Sequence, residues 1–168
     1  MLKTKDHKDF SIIIPTYNRS DFIKRTIMSV LRQKDVSMEI IVSDDGSTDD
    51  TRKVVKAFLD KRIKYFRNKE RLGSSINFQK CFLYSSGDYI FTLGDYDFIL
   101  EDNALIEILK VMRKYKVGIG KIGSITYEKS PALPYQTAII SDKLLVLKPS
   151  KIKNILLSIF NFDYLSFG

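Results

Sequence analysis

Phe10-Ser11-Ile12-Ile13-Ile14 is an apolar, β-branched run closed by Pro15. Such a run predicts a strand buried on both faces and stopped where proline removes a backbone donor. The period then changes. Asn18 to Asp21 offers turn and capping groups, and from Phe22 the apolar positions Phe22, Ile23, Ile27, Val30 and Leu31 recur at helical spacing, which predicts a helix to about Gln33. Strand followed by helix is the unit from which the rest of the chain can be read.

The unit repeats. Met38 to Ser43 reads as a second strand, Gly46-Ser47-Thr48 as a loop and cap, and Val54, Val55, Phe58 and Leu59 as a second helical face. A third strand is predicted at Ile63 to Phe66, a helix from Gly73-Ser74-Ser75 through Tyr84, a strand from Tyr89 to Leu93 after Gly87, and an amphipathic helix from Asn103 to Tyr115. Continuous apolar strands alternating with helices predict an α/β fold, with a mostly parallel, Rossmann-like sheet covered by helices on both faces. Beyond Val117 glycines and prolines punctuate the chain. Strands near Ile122 to Tyr127 and Ala138 to Leu147 and a helix near Ile152 to Phe160 are expected there.

Composition bounds the function. The 168 residues suit one buried core, and 44% hydrophobic with 29% charged residues excludes a disordered chain. Met1 to Asp9 lacks the apolar centre of a signal peptide and no later run is long enough to span a bilayer, so a cytoplasmic location is expected. The balance of 28 Lys+Arg against 20 Asp+Glu gives +8 and suits an anionic partner, whether phosphorylated substrate or anionic lipid surface. No nucleic-acid module accompanies the scattered basic residues, so nucleic acid is not expected. Cys81, set among Phe78, Phe82 and Leu83, reads as a core thiol, and the single histidine, His7, falls in an N-terminal segment expected to be mobile. Neither a Cys/His zinc site nor a Ser-His-Asp triad can then be assembled, and chemistry must run on carboxylates, amides and hydroxyls.

In an open parallel sheet, ligands gather beyond the carboxyl ends of the strands. Polar residues stand at these ends in Pro15-Thr16-Tyr17-Asn18-Arg19, in Asp44-Asp45-Gly46-Ser47-Thr48-Asp49 and in Gly94-Asp95-Tyr96-Asp97. Each has a plain structural reading: a strand stop with a helix cap, a turn with an N-cap from Ser47 or Asp49, and a solvated acidic turn. A turn needs one acid, however, and a second can accept hydrogen bonds from a nucleobase imide or a ribose hydroxyl. Arg67 to Gly73, with Asn77 on the following helix, reads either as a basic surface loop or as a wall offering donors to a nucleotide. If strand geometry persists to Asp97, the Asp95 and Asp97 carboxylates share a side roughly 6.6 Å apart, with Tyr96 turned away. Their repulsion of about 2.5 kcal/mol, at an effective dielectric of about 20, would be relieved by a divalent cation bridging to a phosphate.

Together with Asn68, Gly73, Asn77 and Gly87-Asp88-Tyr89-Ile90, these segments resemble, in order and separation, the signatures of family 2 glycosyltransferases over about Phe10 to Tyr115. The resemblance implies a GT-A fold, a nucleotide-sugar donor, a divalent metal (Mn or Mg) and inversion at the anomeric carbon. By motif position it puts Pro15, Thr16 and Tyr17 around base and ribose, Asp45 on the base, Asn77 in the donor wall, Asp95 toward ribose or metal, and Asp97 as the direct metal ligand. The acceptor it implies is a polysaccharide, a lipopolysaccharide or another glycan, free or lipid-linked, with peripheral contact at an anionic membrane face. Tyr96 and Gly94 stand where many relatives carry further acids. No downstream segment matches the family's general base, and Asp163 reads as a surface residue. The expected layout is a tail over residues 1–9 and a nucleotide-sugar-binding domain over 10–168 with an incomplete acceptor half. A truncated, non-catalytic nucleotide-sugar-binding fragment is the alternative.

Overall fold

The two most apolar strands form the centre of the sheet. β1 (Phe10–Thr16) and β2 (Met38–Asp44) run parallel, with Phe10 opposite Met38 and Thr16 opposite Asp44. β3 (Ile63–Arg67) flanks β2 and β4 (Tyr89–Thr92) flanks β1, both parallel, in the order β3-β2-β1-β4. Every residue of β2 is buried, whereas β3 and β4 are only partly covered, as position in a sheet dictates. The connections are α1 (Ser20–Leu31), α2 (Thr51–Lys56) and α3 (Ser74–Tyr84), and α4 (Ala104–Tyr115) follows β4. Ile23, Ile27 and Val30 form the buried stripe of α1. α3 packs Cys81 against Ile13 and Ile41, with Phe66, Phe78 and Phe82 around them. Burial pushes the Cys81 thiol up to about 11, so it serves packing and not nucleophilic chemistry.

The computed structural model describes residues 7–115, 119–121, 125–128, 137–140 and 145–147. The chain divides into two compact units, Met1–Ile108 and Leu109–Gly168. In the second, β5 (Ile119–Lys121) pairs antiparallel with β8 (Leu145–Leu147), and β6 (Ile125–Glu128) with β7 (Thr137–Ile140). The strand expected near Ile122 to Tyr127 is described from Ile125 onward, and the one near Ala138 to Leu147 as β7 and β8. The helix expected near Ile152 to Phe160, and Asp163, lie outside the described residues. Among the described residues no helix is long and apolar enough to cross a membrane.

Three local expectations change. β1 does not stop at Pro15 but pairs with β2 through Thr16. Ile13 O accepts from Leu93 N on the β4 side and Thr16 O from Asp45 N on the β2 side. By the two-residue period the missing N–H of Pro15 faces β4, whose pairing has ended by then, so proline costs no ladder bond to β2. α2 holds Val54 and Val55 but ends at Lys56, short of Phe58 and Leu59 of the expected face, and Leu59 is 99% exposed. The chain there turns early, because the Asp60 carboxylate accepts from Arg62 N at 2.9 Å and from the Arg62 guanidinium, and Asp60 O accepts from Ile63 N, which launches β3. β4 ends at Thr92, so Asp95 and Asp97 do not extend a strand.

Glu39, fully buried at the start of β2, joins three strands. Its Oε1 accepts from Ser11 Oγ of β1 at 2.6 Å and from Ser86 N and Oγ at 2.7 and 2.9 Å, while Lys64 Nζ of β3 lies 2.7 Å from Oε2. Burial alone pushes its pKa up, but Lys64, Ser11 and Ser86 outweigh it and bring the carboxyl to about 2 from the ordinary 4.5. The stabilisation is therefore complete above pH 4.5 and is lost as pH falls through about 2. Glu39→Gln is expected to cost about 1–3 kcal/mol at neutral pH, and the difference from wild type should shrink between those two pH values. Urea unfolding across pH tests this, and a pH-independent difference would assign the effect to packing alone.

Candidate functional site

The strand order puts the topological switch point between β1 and β4, the place where open parallel sheets form a ligand crevice beyond the carboxyl ends of the strands. The loops that follow β1 and β2 are zipped together there. Asn18, in the left-handed region at φ 52°, donates its N–H to Ser47 Oγ at 2.9 Å and accepts from Thr48 N at 2.8 Å. Arg19 N donates to Thr51 Oγ1 at 3.0 Å. Asp49 accepts from Ser20 N and Thr51 N, each at 3.0 Å, so one carboxylate serves the first residues of both α1 and α2. Against desolvation, the Thr51 hydroxyl together with these two N–H groups holds its pKa at about 2. The expected local caps from Asn18 and Ser20 are thus replaced by groups from the neighbouring loop. Asp44 is turned into the fold, where it accepts from Ser47 N at 2.7 Å and from the Tyr65 hydroxyl.

Asp45 has a different task. Only 3% exposed, it accepts from Asn68 Nδ2 at 2.9 Å and Leu72 N at 2.8 Å through Oδ1, and from Gly73 N at 2.9 Å through Oδ2. These bonds latch the segment after β3 onto the end of β2. Gly46, at φ 79°, permits the close approach, since a Cβ there would lie 3.1 Å from Glu70 C and 3.2 Å from Arg71 N. The latched segment carries Arg71 over the Tyr17 ring, with 4.3 Å from guanidinium carbon to ring centroid. Asn77 is 2% exposed and supports this wall from beneath. Its Nδ2 donates to Ser43 O at 2.7 Å and its Oδ1 accepts from Ser43 Oγ at 2.8 Å and Asn68 Nδ2 at 3.1 Å.

Across the crevice, the residues after β4 form a turn in which Asp97 N donates to Gly94 O at 3.1 Å. The extended geometry assumed for the two carboxylates does not hold, because this turn folds the chain back before Asp97 is reached. α1, with Gln33 two residues past its end, holds the turn and the segment after it by polar side chains. Thr26 Oγ1 lies 2.7 Å from Asp97 O and 3.0 Å from Asp95 O, Ser29 Oγ accepts from Ile99 N at 3.0 Å, and Gln33 donates to Glu101 O at 2.7 Å while accepting from Leu105 N at 3.0 Å. Asp95 is mostly buried, with Arg19 Nε 3.7 Å from its Oδ1. Burial raises its pKa, opposed by the Thr16 hydroxyl, Arg19 and the Tyr17 N–H. Asp97 is exposed, and its carboxylate lies over Gly94, where a Cβ would come 2.6 Å from Oδ2.

The structure thus brings Thr16, Tyr17 and Asp95 together at the β1/β4 crevice, with Pro15 half-buried at the end of β1 and Asp45 and Asn77 holding the wall behind Arg71. Thr26, Ser29 and Gln33 were missed in the sequence. Their signal was polar residues at i, i+3 and i+7 next to the apolar stripe of α1, which also describes an ordinary helix flank. Asp45→Ala removes three charge-assisted hydrogen bonds and is expected to cost about 2–4 kcal/mol. Amide exchange at Leu72 and Gly73 should rise more than in the sheet; equal protection in the mutant would show that the latch lies elsewhere.

The chain is similar to known proteins in sequence and in fold. A family model for Glycosyl transferase family 2 matches residues 11–162, well beyond the segment ending at Tyr115 on which the resemblance rested. The GalNAc(5)-diNAcBac-PP-undecaprenol beta-1,3-glucosyltransferase of Campylobacter jejuni is 39% identical over 93 residues, 54% of this chain and 30% of that protein. The Escherichia coli UDP-Glc:alpha-D-GlcNAc-diphosphoundecaprenol beta-1,3-glucosyltransferase WfgD is 34% identical over 103 residues, 61% of this chain and 41% of that protein. The chain therefore spans less than half the length of these curated relatives. Of solved structures, S. aureus TarS 1-349 in complex with UDP-GlcNAc superposes with a TM-score of 0.61 at 23% identity, covering 65% of this chain and 32% of that one. The mannosyltransferase PcManGT from Pyrobaculum calidifontis, in complex with GDP-Man and Mn2+, does so with a TM-score of 0.60 at 20% identity, covering 68% and 35%. These likenesses agree with the GT-A, Rossmann-like α/β fold. With a family match over most of its length, the chain belongs to glycosyltransferase family 2.

Proposed function

We propose that this chain is the donor-binding part of a glycosyltransferase that moves a sugar from a nucleotide-sugar to a polysaccharide, lipopolysaccharide or other glycoconjugate, with a divalent metal and inversion at the anomeric carbon. The observation that carries the reading is the placement of the Tyr17–Arg71 stack and the Asp95–Asp97 turn at the ends of β1 and β4, the switch point of the sheet. Stacked ring and guanidinium offer a flat, cationic platform to base and phosphate. Pro15 and Thr16 line its edge. Asp45 Oδ2 accepts one hydrogen bond from Gly73, which leaves acceptor capacity for an imide N–H while the loop stays latched. Asn77, its amide spent on Ser43 and Asn68, acts one step removed from the ligand as a positioning residue.

The donor set suits Mn or Mg. Both are hard cations that take carboxylate oxygens, keep several waters and bridge to phosphate, and Asp97 offers an exposed carboxylate beside the buried Asp95. Thr16 Oγ1, buried without a well-formed hydrogen bond, adds a neutral oxygen at the same crevice. When bound, the ion supplies Lewis acidity to the departing nucleoside diphosphate. Arg19, at the Asp95 carboxylate, limits the negative charge that accumulates before a ligand arrives. Inversion is carried over with the family. The names of the C. jejuni and E. coli relatives specify glycans on diphosphoundecaprenol, which supports a lipid-linked glycan acceptor here. A net charge of +8 would favour peripheral docking at the anionic cytoplasmic face of a membrane.

Screening nucleoside diphosphates by thermal shift with and without Mn is the test. At a hundredfold excess over Kd the matching nucleotide stabilises the fold by about 2.7 kcal/mol. Asp97→Ala should abolish the Mn-dependent part and leave the unliganded stability within about 0.5 kcal/mol, since the residue is exposed. If no nucleoside diphosphate stabilises the protein with either Mn or Mg, the reading fails.

A further inference from the structure

The opposite end of the sheet carries a second cluster. Backbone pairing continues just ahead of β1 and β4, where Asp88 N donates to Lys8 O and Tyr89 N to Asp9 O, both at 3.0 Å. This sets Asp9 and Asp88 side by side at the amino ends of the strands. His7, in the segment expected to be mobile, is tied here as well, since Ser37 Oγ donates to His7 O at 2.7 Å. His7 Nε2 lies 3.4 Å from Asp9 Oδ1 and 3.4 Å from Asp88 Oδ2, and the three groups' ligand atoms all fall within 4.8 Å of one another. The nitrogen is buried and has no hydrogen-bond partner.

The separation is informative. A direct N–H···O hydrogen bond would bring nitrogen and oxygen to about 2.7–3.2 Å. Ligands at the corners of a tetrahedron around zinc, at metal distances of about 2.0–2.1 Å, stand about 3.3–3.4 Å apart. Asp9 Oδ2 meanwhile accepts from Ser37 N at 3.0 Å, the kind of outer hydrogen bond that orients a ligating carboxylate.

We propose that His7, Asp9 and Asp88 form a three-ligand site for a divalent ion of the zinc class, with a fourth position open beside the half-exposed Asp88. Imidazole with two carboxylates favours zinc over the hard cations suited to Asp95 and Asp97. The ion would staple the segment before β1 to the start of β4, independently of the donor crevice. It differs from the Cys/His type that the sequence excludes, because carboxylates replace the missing thiols and second histidine.

His7 is the single histidine of the chain, so its imidazole resonances report on the site without ambiguity in protein free of a histidine tag. Zinc titrated in the presence of excess Mg should saturate at one equivalent, move those resonances and raise the melting temperature. His7→Ala and Asp88→Asn should each weaken zinc binding at least about tenfold. These positions are preferred over the buried Asp9, whose loss also frees Ser37 N. Asp97→Ala should bind zinc as wild type does. Unmoved imidazole resonances, undiminished affinity in both variants, or loss of binding in Asp97→Ala would each overturn the proposal. None of these outcomes bears on nucleotide stabilisation with Mn, which is read separately.

Discussion

The segment from Asn68 to Gly73 has no regular structure of its own and is held by the carboxylate of Asp45. Burying a carboxylate is costly unless it is hydrogen-bonded, and Asp45 recovers that cost through one side-chain and two backbone donors. The same bonds position Arg71 over Tyr17, bring Asn68 against Asn77, and require glycine at position 46. A loop after β3 thereby becomes a wall of the crevice that opens at the end of β1. Without the latch the remaining strand ends would still converge, but one side of the crevice would be a tethered strand of chain with nothing to orient it.

Comparable long-range hydrogen bonds organise the rest of the crevice. Asp49 serves the first residues of two helices, and Thr26 and Ser29 of α1, with Gln33 just past its end, hold the turn and segment after β4. The carboxyl edge of a parallel sheet consists of loops, which have few apolar contacts to fix them. Here polar side chains projecting from rigid helices and neighbouring loops supply that order, which helps explain why so many buried groups at this edge are polar.

Much of the framework was legible from the residues. The apolar run Phe10 to Ile14, its counterpart at Met38 to Ser43 and the helical spacing from Phe22 were enough for a parallel α/β sheet, because burial on both faces leaves a pattern that neighbouring residues carry alone. The ends of elements were less legible. Pro15 was read as a stop because its missing donor is visible in the sequence, whereas the direction in which that donor would point depends on which strand lies alongside. Leu59 fitted a helical period that α2 does not reach, since the Asp60–Arg62 turn intervenes. Asp95 and Asp97 could be recognised as a pair, but their relative placement could not, because a turn held from α1 replaces the strand geometry.

The sequence by itself determined the class of fold, the order of the motif segments and the chemistry open to them, since the one cysteine and the one histidine both fall outside those segments and leave them oxygen and nitrogen groups of other kinds, carboxylates foremost. Those properties follow from composition and local period. Tertiary structure alone decided which acid does what: Asp44 turned inward to Tyr65, Asp45 latching a loop, Asp49 serving two helices, and Asp97 left exposed. The reason is physical. Four carboxylates with nearly the same intrinsic properties differ in the donors that the fold brings to them, and most of those donors come from residues far away in the chain.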